Sequence, residues 1–184
     1  MIASLYKKFQ DYSAKGSVWL YADTHFGDQD MIDYFNYPPP QEHIDILKKF
    51  CHKNDTLILL GDVGDPSYLR QLKCRIILIT GNHDLGPSNY EEFCDEVYSG
   101  PLTIADKILL THEPIDLPFC LNISGHNHSN WGNYQNVINV AANIIGFHPV
   151  NLKDIIQSGR LKNIPDIHRI AIDRQIEYKK EKTQ

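Results

Sequence analysis

Short aliphatic runs recur along the chain, and each stops at a cluster of polar residues. Residues 17–22 (SVWLYA), 56–60 (TLILL), 75–80 (RIILIT), 108–110 (ILL) and 121–124 (LNIS) are too short for helices and rich in β-branched residues and Leu. Such runs predict strands buried on both faces. Residues 137–140 predict a further strand. Between them the period changes. Residues 41–53 carry Ile44, Leu47 and Phe50 on one face, which predicts a surface helix with His43 and His52 solvated. Residues 31–36 predict a helical turn, and Tyr37 with Pro38, Pro39 and Pro40 a stiff loop. A Ser cap predicts a short helix over 67–73. Ser88 and Glu91 form a capping-box pattern that predicts a helix over 88–97. Residues 98–106 predict a hairpin arm turning at Ala105, Asp106 and Lys107, and residues 151–158 and 165–180 predict helices. Ile2, Leu5, Tyr6 and Phe9 predict an amphipathic N-terminal helix over 1–16. Strands alternating with helices predict one α/β domain over 1–184, its last helix reaching through 165–184.

Composition narrows the class. The chain has 184 residues, 42% of them apolar, enough for one domain with a real core. No apolar run approaches membrane-spanning length, so no membrane association is expected, and no export signal precedes residue 16. Cys51, Cys74, Cys94 and Cys120 are scattered, which argues against a disulfide framework or a zinc knuckle and for a reducing, cytoplasmic setting. The net charge is −5, and the basic cluster is Lys179, Lys180 and Lys182 in the tail. A nucleic-acid partner finds no support in that charge.

The chemistry lies where the strands stop. The clusters are Asp23-Thr24-His25, Gly61-Asp62, Gly81-Asn82-His83-Asp84, Thr111-His112-Glu113 and Gly125-His126-Asn127-His128. In extended backbone, residues two apart share a side, which pairs Asp23 with His25 and His126 with His128. Each cluster alone is an ordinary turn. Together they hold five of the nine histidines, which points to a metal site. His148 reads as structural or as part of a rim, and His168 as part of the last helix.

These five blocks, in order, resemble the calcineurin-like metallophosphoesterases, whose pattern is DxH, GDxx(D/N), GNH(D/E), a lone His, and GHxH. The resemblance implies a four-layer α/β/β/α sandwich of two mixed β-sheets flanked by helices. It implies one metal held by Asp23, His25, Asp62 and His128, and a second held by Asp62, Asn82, His112 and His126. His83 would be the catalytic histidine, with Asp84 orienting it. Four imidazoles among seven ligands favour Mn²⁺, with Fe, Zn²⁺ or Ni²⁺ as alternatives, over Mg²⁺ or Ca²⁺. The implied activity is hydrolysis of a small phosphomonoester or phosphodiester by a metal-bridging hydroxide, with His83 as general acid. A nuclease of the same superfamily and a catalytically silent scaffold are the rivals. Phosphoprotein phosphatases of the superfamily carry Arg after the second block, where this chain has Pro66, so no cation is assigned to grip the phosphate. Arg70 and Lys73 read as solvated, and the absence of an inserted cap implies an open site.

Overall fold

The computed structural model describes residues 15–105, 107–129, 134–165 and 167–182. The expected N-terminal helix therefore lies outside the described residues. Among the described residues nine strands form two sheets. The first has the order β4-β3-β2-β1-β9, from β1 (Val18–Tyr21), β2 (Thr56–Leu59), β3 (Arg75–Ile79), β4 (Glu96–Tyr98) and β9 (Val150–Asn151). β1 to β4 are parallel, and β9 runs antiparallel to β1. The second has the order β5-β6-β7-β8, from β5 (Leu102–Ala105), β6 (Ile108–Leu110), β7 (Leu121–Ser124) and β8 (Val137–Asn139). Only the β5–β6 pair is antiparallel there. Among the described residues four helices, α1 (Gln29–Phe35), α2 (Pro40–Phe50), α3 (Leu152–Gln157) and α4 (Ile167–Glu181), join them, with short 3₁₀ turns between. Two mixed sheets with flanking helices are the α/β architecture the resemblance implies.

Strand alternation splits the core in two. Leu20, Ile58, Ile77 and Ile79 pack toward Leu110 and Ile123 of the second sheet. Tyr21, Leu57, Leu59 and Leu78 pack toward Ile44 and Leu47 of α2. Full burial of each such aliphatic side chain stabilises by about 1.5–3 kcal/mol. β1, β2 and β3 are aligned in register, Tyr21 opposite Leu59 and Leu59 opposite Leu78. Their polar clusters therefore emerge at one common edge. No helix among the described residues is long and apolar enough to cross a membrane.

Four expectations give way. Residues 88–97 are not a helix. A 3₁₀ turn over Pro87–Asn89 leads into β4. Asp95 exchanges bonds with Ile76, its amide donating to the Ile76 carbonyl (2.8 Å) and its carboxylate accepting from the Ile76 amide (2.8 Å). Pairing with β3 thus overrides the local helical signal. The 67–73 segment is a 3₁₀ turn, Pro66–Gln71, capped by the Asp65 carboxylate rather than by Ser67. Helix α2 begins at Pro40, whose missing N–H costs nothing at a helix start. His43 is buried, its Nε2 2.7 Å from the Tyr21 hydroxyl, because it falls on the face of α2 that packs on the sheet. Burial pushes its imidazole down to about 4. His52 is exposed as expected, and His148 packs edge-on against Phe50. The turning residue Asp106 lies outside the described residues, as do the side chains of 167–169, His168 among them.

Candidate metal centre

The strand ends do not continue as extended chain. Asp23, His25, Asp62 and His126 all adopt left-handed backbone, with φ of 56°, 42°, 55° and 69°. Non-glycine residues rarely do so, and Asn, Asp and His do so most readily. Backbone bonds lock the first two of these loops together. Asp23 N–H donates to Gly61 O (2.9 Å), His25 N–H to Asp62 O (3.0 Å) and Phe26 N–H to Val63 O (2.9 Å). Gly61, at φ 90°, and Gly81 approach each other so closely that a Cβ on either would overlap its neighbours, including the His112 ring. The extended alternation expected for Asp23 with His25 is thus replaced by left-handed kinks at both residues, on either side of Thr24. Asp23 and His25 still join one group, whereas His126 and His128 part company and join different ones.

Two groups result. The ligating atoms of Asp23, His25 and His128 lie within 4.8 Å of one another, and so do those of Asp62, His112 and His126. Asp62 stands between them. Its Oδ2 is 3.7 Å from His25 Nε2 in the first group and 3.4 Å from His112 Nε2 in its own. Asn82 joins the second group, its Oδ1 being 2.8 Å from His112 Nε2 and 3.0 Å from His126 Nδ1. Those two ring nitrogens are only 3.2 Å apart.

The donor set fits divalent ions. His25 Nε2 is buried without a hydrogen-bond partner among the described residues, an expensive state that a metal bond removes. His112 Nδ1 lies 2.8 Å from Leu60 O, which places a proton there and points Nε2 at Asn82, His126 and Asp62, where a metal would take the place of a second proton. Several Lewis bases converging on one point need a cation between them. Burial pushes the Asp23 carboxyl up to about 7, against the pull of His112. Burial would also raise Asp62, but hydrogen bonds from His112 and the His83 amide hold it below the usual carboxylate range. Burial lowers His25 and His128.

Asp84 is occupied elsewhere than on an imidazole. Its oxygens accept from the backbone N–H groups of Asp62, Val63 and Gly81, each at 2.8 Å, and from the Tyr90 hydroxyl at 3.0 Å. It ties the β2 loop to the β3 loop, and so fixes the segment that carries His83. His83 is exposed at the mouth, its amide donating to Asp62 Oδ1 (2.9 Å) and its ring 5.6 Å from the His25 ring. Arg70 pairs with Glu92 and covers Phe93, away from the centre, and Glu113 is exposed.

Two residues at the centre carry no motif. Asn143 Oδ1 lies 3.3 Å from His128 Nδ1, while its Nδ2 donates to His128 O (2.8 Å). The Tyr37 hydroxyl donates to Asp23 O (2.8 Å) and lies 3.4 Å from the same His128 nitrogen. A Tyr before three prolines and an Asn in an apolar stretch give no signal in sequence.

The two-sheet α/β fold brings seven residues with N and O donors together at its strand ends, in two adjoining groups that could hold metal ions. The chain belongs to the calcineurin-like phosphoesterase family, whose sequence model matches residues 16–182. It is similar to an uncharacterized protein of Methanocaldococcus jannaschii, 29% identical over 168 residues that cover 76% of this chain and 89% of that one. Among solved structures it is similar to a protein of unknown function from Aquifex aeolicus, with a TM-score of 0.61 and 24% identity over 77% of this chain and 98% of the other. That likeness is one of fold. A nuclease, MPE, from Pseudomonas putida matches at a TM-score of 0.43 and 23% identity, over 59% of either chain.

Proposed function

We propose that the chain hydrolyses small phosphoesters at a two-metal centre, with Asp23, His25, Asp62 and His128 holding one ion and Asp62, Asn82, His112 and His126 the other. The observation that carries this reading is the position of Asp62 Oδ2, within 4 Å of an imidazole nitrogen of either group. Two divalent ions held there would supply Lewis acidity toward the phosphoryl oxygens and lower the pKa of bound water. Mn²⁺ is the ion proposed, since the mixed imidazole, carboxylate and amide donors suit it. The two carboxylates, Asp23 and Asp62, leave such a centre with net positive charge, which draws an anionic ester.

The chain's own groups divide the remaining work. Asp62 accepts from the His83 amide through Oδ1, which leaves Oδ2 facing His25 and His112, where it would hold the ions. The exposed His83 ring can deliver a proton to the departing alkoxide. A cleft of about 370 Å³, lined in part by Thr80, Asn82, Thr111 and His112, opens beside the second group, and the described residues of its wall include no Lys or Arg. The ester's charge is therefore met by the centre itself.

Mn²⁺-stimulated hydrolysis of bis-p-nitrophenyl phosphate and p-nitrophenyl phosphate, with metal content read on the same sample, tests the reading. Turnover that a chelator abolishes is expected. Two bound ions with turnover of neither ester would favour the scaffold. The nuclease rival predicts cleavage of single-stranded or duplex DNA in preference to both esters. His83→Ala should keep the metals and slow turnover by about 10²-fold. An unchanged rate on an ester with a poor leaving group would remove His83 from its role.

A further inference from the structure

The chain turns back on itself just past His25. His25 and Gly27 are both left-handed, with φ of 42° and 83°, and the Asp28 N–H donates to the His25 carbonyl (3.0 Å). The turn sets the Asp28 carboxylate beside the His25 imidazole. Asp28 is also the N-cap of α1, where its Oδ1 accepts from the N–H groups of Asp30 (3.0 Å) and Met31 (3.4 Å). The cap fixes the carboxylate and leaves its other oxygen, Oδ2, 3.5 Å from His25 Nδ1. At the far side of the same ring, Nε2 is buried with no hydrogen-bond partner among the described residues and stands 3.7 Å from Asp62 Oδ2. Asp28 follows the first polar cluster of the sequence and belongs to neither group of metal-facing residues.

A neutral imidazole carries its proton on one nitrogen and offers a lone pair on the other. A metal bonds only to the bare nitrogen. For His25 the ring position decides which nitrogen that must be. Nε2 faces Asp62, so the proton belongs on Nδ1. A carboxylate oxygen beside Nδ1 favours the proton there, because the N–H dipole then points at negative charge. Asp62 pulls the proton the other way, toward Nε2, so without Asp28 nothing on the Nδ1 side would oppose it. We propose that Asp28 is a positioning residue for the first ion, holding the His25 proton on Nδ1 and keeping Nε2 bare for the metal, a role that rests on the ligand set Asp23, His25, Asp62 and His128 proposed above. Because the same carboxylate caps α1, the choice of tautomer is tied to the start of that helix.

Ring-nitrogen chemical shifts of His25 in the chelated full chain read the tautomer directly. The Nδ1–H form is expected in the wild type, and an Nε2–H form overturns the proposal. Asp28→Asn keeps a good cap, its Oδ1 still accepting from Asp30 and Met31, but it turns an N–H toward Nδ1 in place of Oδ2. The tautomer should invert, and the affinity of the first Mn²⁺ should fall about 10–100-fold, the range for groups that orient a metal ligand. The second ion should keep its affinity, as read by chelator competition resolved into two steps. Asp28→Ser also caps α1 but sets no N–H against His25, so its loss should be smaller than that of Asp28→Asn. A residue that only caps the helix would give wild-type affinity in both variants. That result overturns the proposal, and so does a loss in Asp28→Ser as great as in Asp28→Asn. Wild-type protein that takes up no Mn²⁺ would end the two-metal reading instead, while the tautomer of the metal-free ring still tests Asp28.

Discussion

The two sheets bring their loops to the same centre by different means. The loops after β1 and β2 are held by backbone bonds to each other, and the β3 loop is tied in by Asp84. Asp23, His25 and Asp62 are buried as a result. The loops after β6 and β7 are held in part by groups of the first sheet and in part by side chains outside either sheet. His112 bonds to Leu60 O, the His126 amide donates to the Asp23 carboxylate (2.9 Å), and His128 rests on Asn143 and Tyr37. His126 and His128 are only half-buried. Both carboxylates come from the first sheet and three of the four imidazoles from the second. The first sheet is a preformed frame, and the second is docked onto it. Metal binding at the proposed centre would couple the two.

The sharpest break in that arrangement is Asp62→Asn, since Asp62 Oδ2 lies within 4 Å of an imidazole Nε2 of either group. Metal content should fall at both positions, and turnover should drop by well over 10²-fold, beyond the scale of a change outside the ligands. Full activity with two ions bound would end the bridging assignment. Asp84→Ala attacks the frame without touching a donor to the metals. It leaves three backbone N–H groups and the Tyr90 hydroxyl without their acceptor, at about 1–3 kcal/mol for each group that stays buried. Denaturant unfolding of the chelated protein should register a loss of roughly 3–5 kcal/mol. A loss below about 1 kcal/mol would mean that the β2 and β3 loops hold together without it.

The frame also rests on His43, and this makes it sensitive to acid. Burial holds the folded imidazole near 4 against an ordinary value of 6.5. Below 6.5 the unfolded chain takes up a proton that the folded chain refuses, so stability is full above 6.5 and declines as pH falls toward 4. The gap corresponds to about 3 kcal/mol. Comparing wild type with His43→Gln in the absence of metal isolates the effect, which should disappear in the variant. Equal pH dependence in the two proteins would show that His43 does not titrate as its burial dictates.

The frame was largely legible in sequence, and the docking was not. Buried strands announce themselves as aliphatic runs, so β1, β2, β3, β6 and β7 and the clusters at their ends could be read directly. His43 was misplaced because helical periodicity locates a face only approximately, and a His on the boundary can turn inward when a Tyr hydroxyl waits for it. Residues 88–97 were misread because a Ser and a Glu at capping distance describe a local preference, while Asp95 pairs with a strand far away in sequence. The left-handed kinks at Asp23, His25, Asp62 and His126 have no local signature. They arise from parallel loops closing on each other, which only the assembled sheets impose.

Asn143 tests the docking of the second sheet at its weakest point. His128 belongs to the half-buried part of the centre, and its Nδ1 has two neighbours, Asn143 Oδ1 and the Tyr37 hydroxyl. Asn143 also holds the His128 carbonyl, so it restrains both ring and backbone. Asn143→Ala should free the ring to rotate away from Asp23 and His25, while Tyr37 retains part of the restraint. The affinity of the first ion should fall about tenfold, the lower end of the range for residues that orient a ligand. The second ion, held through Asn82, His112 and His126, should keep its affinity. Chelator competition that resolves two binding steps separates the outcomes. Loss confined to one step supports independent docking of the two imidazoles of the loop. Equal weakening of both steps would show that the loop moves as one body and that the docked half is stiffer than its exposure suggests.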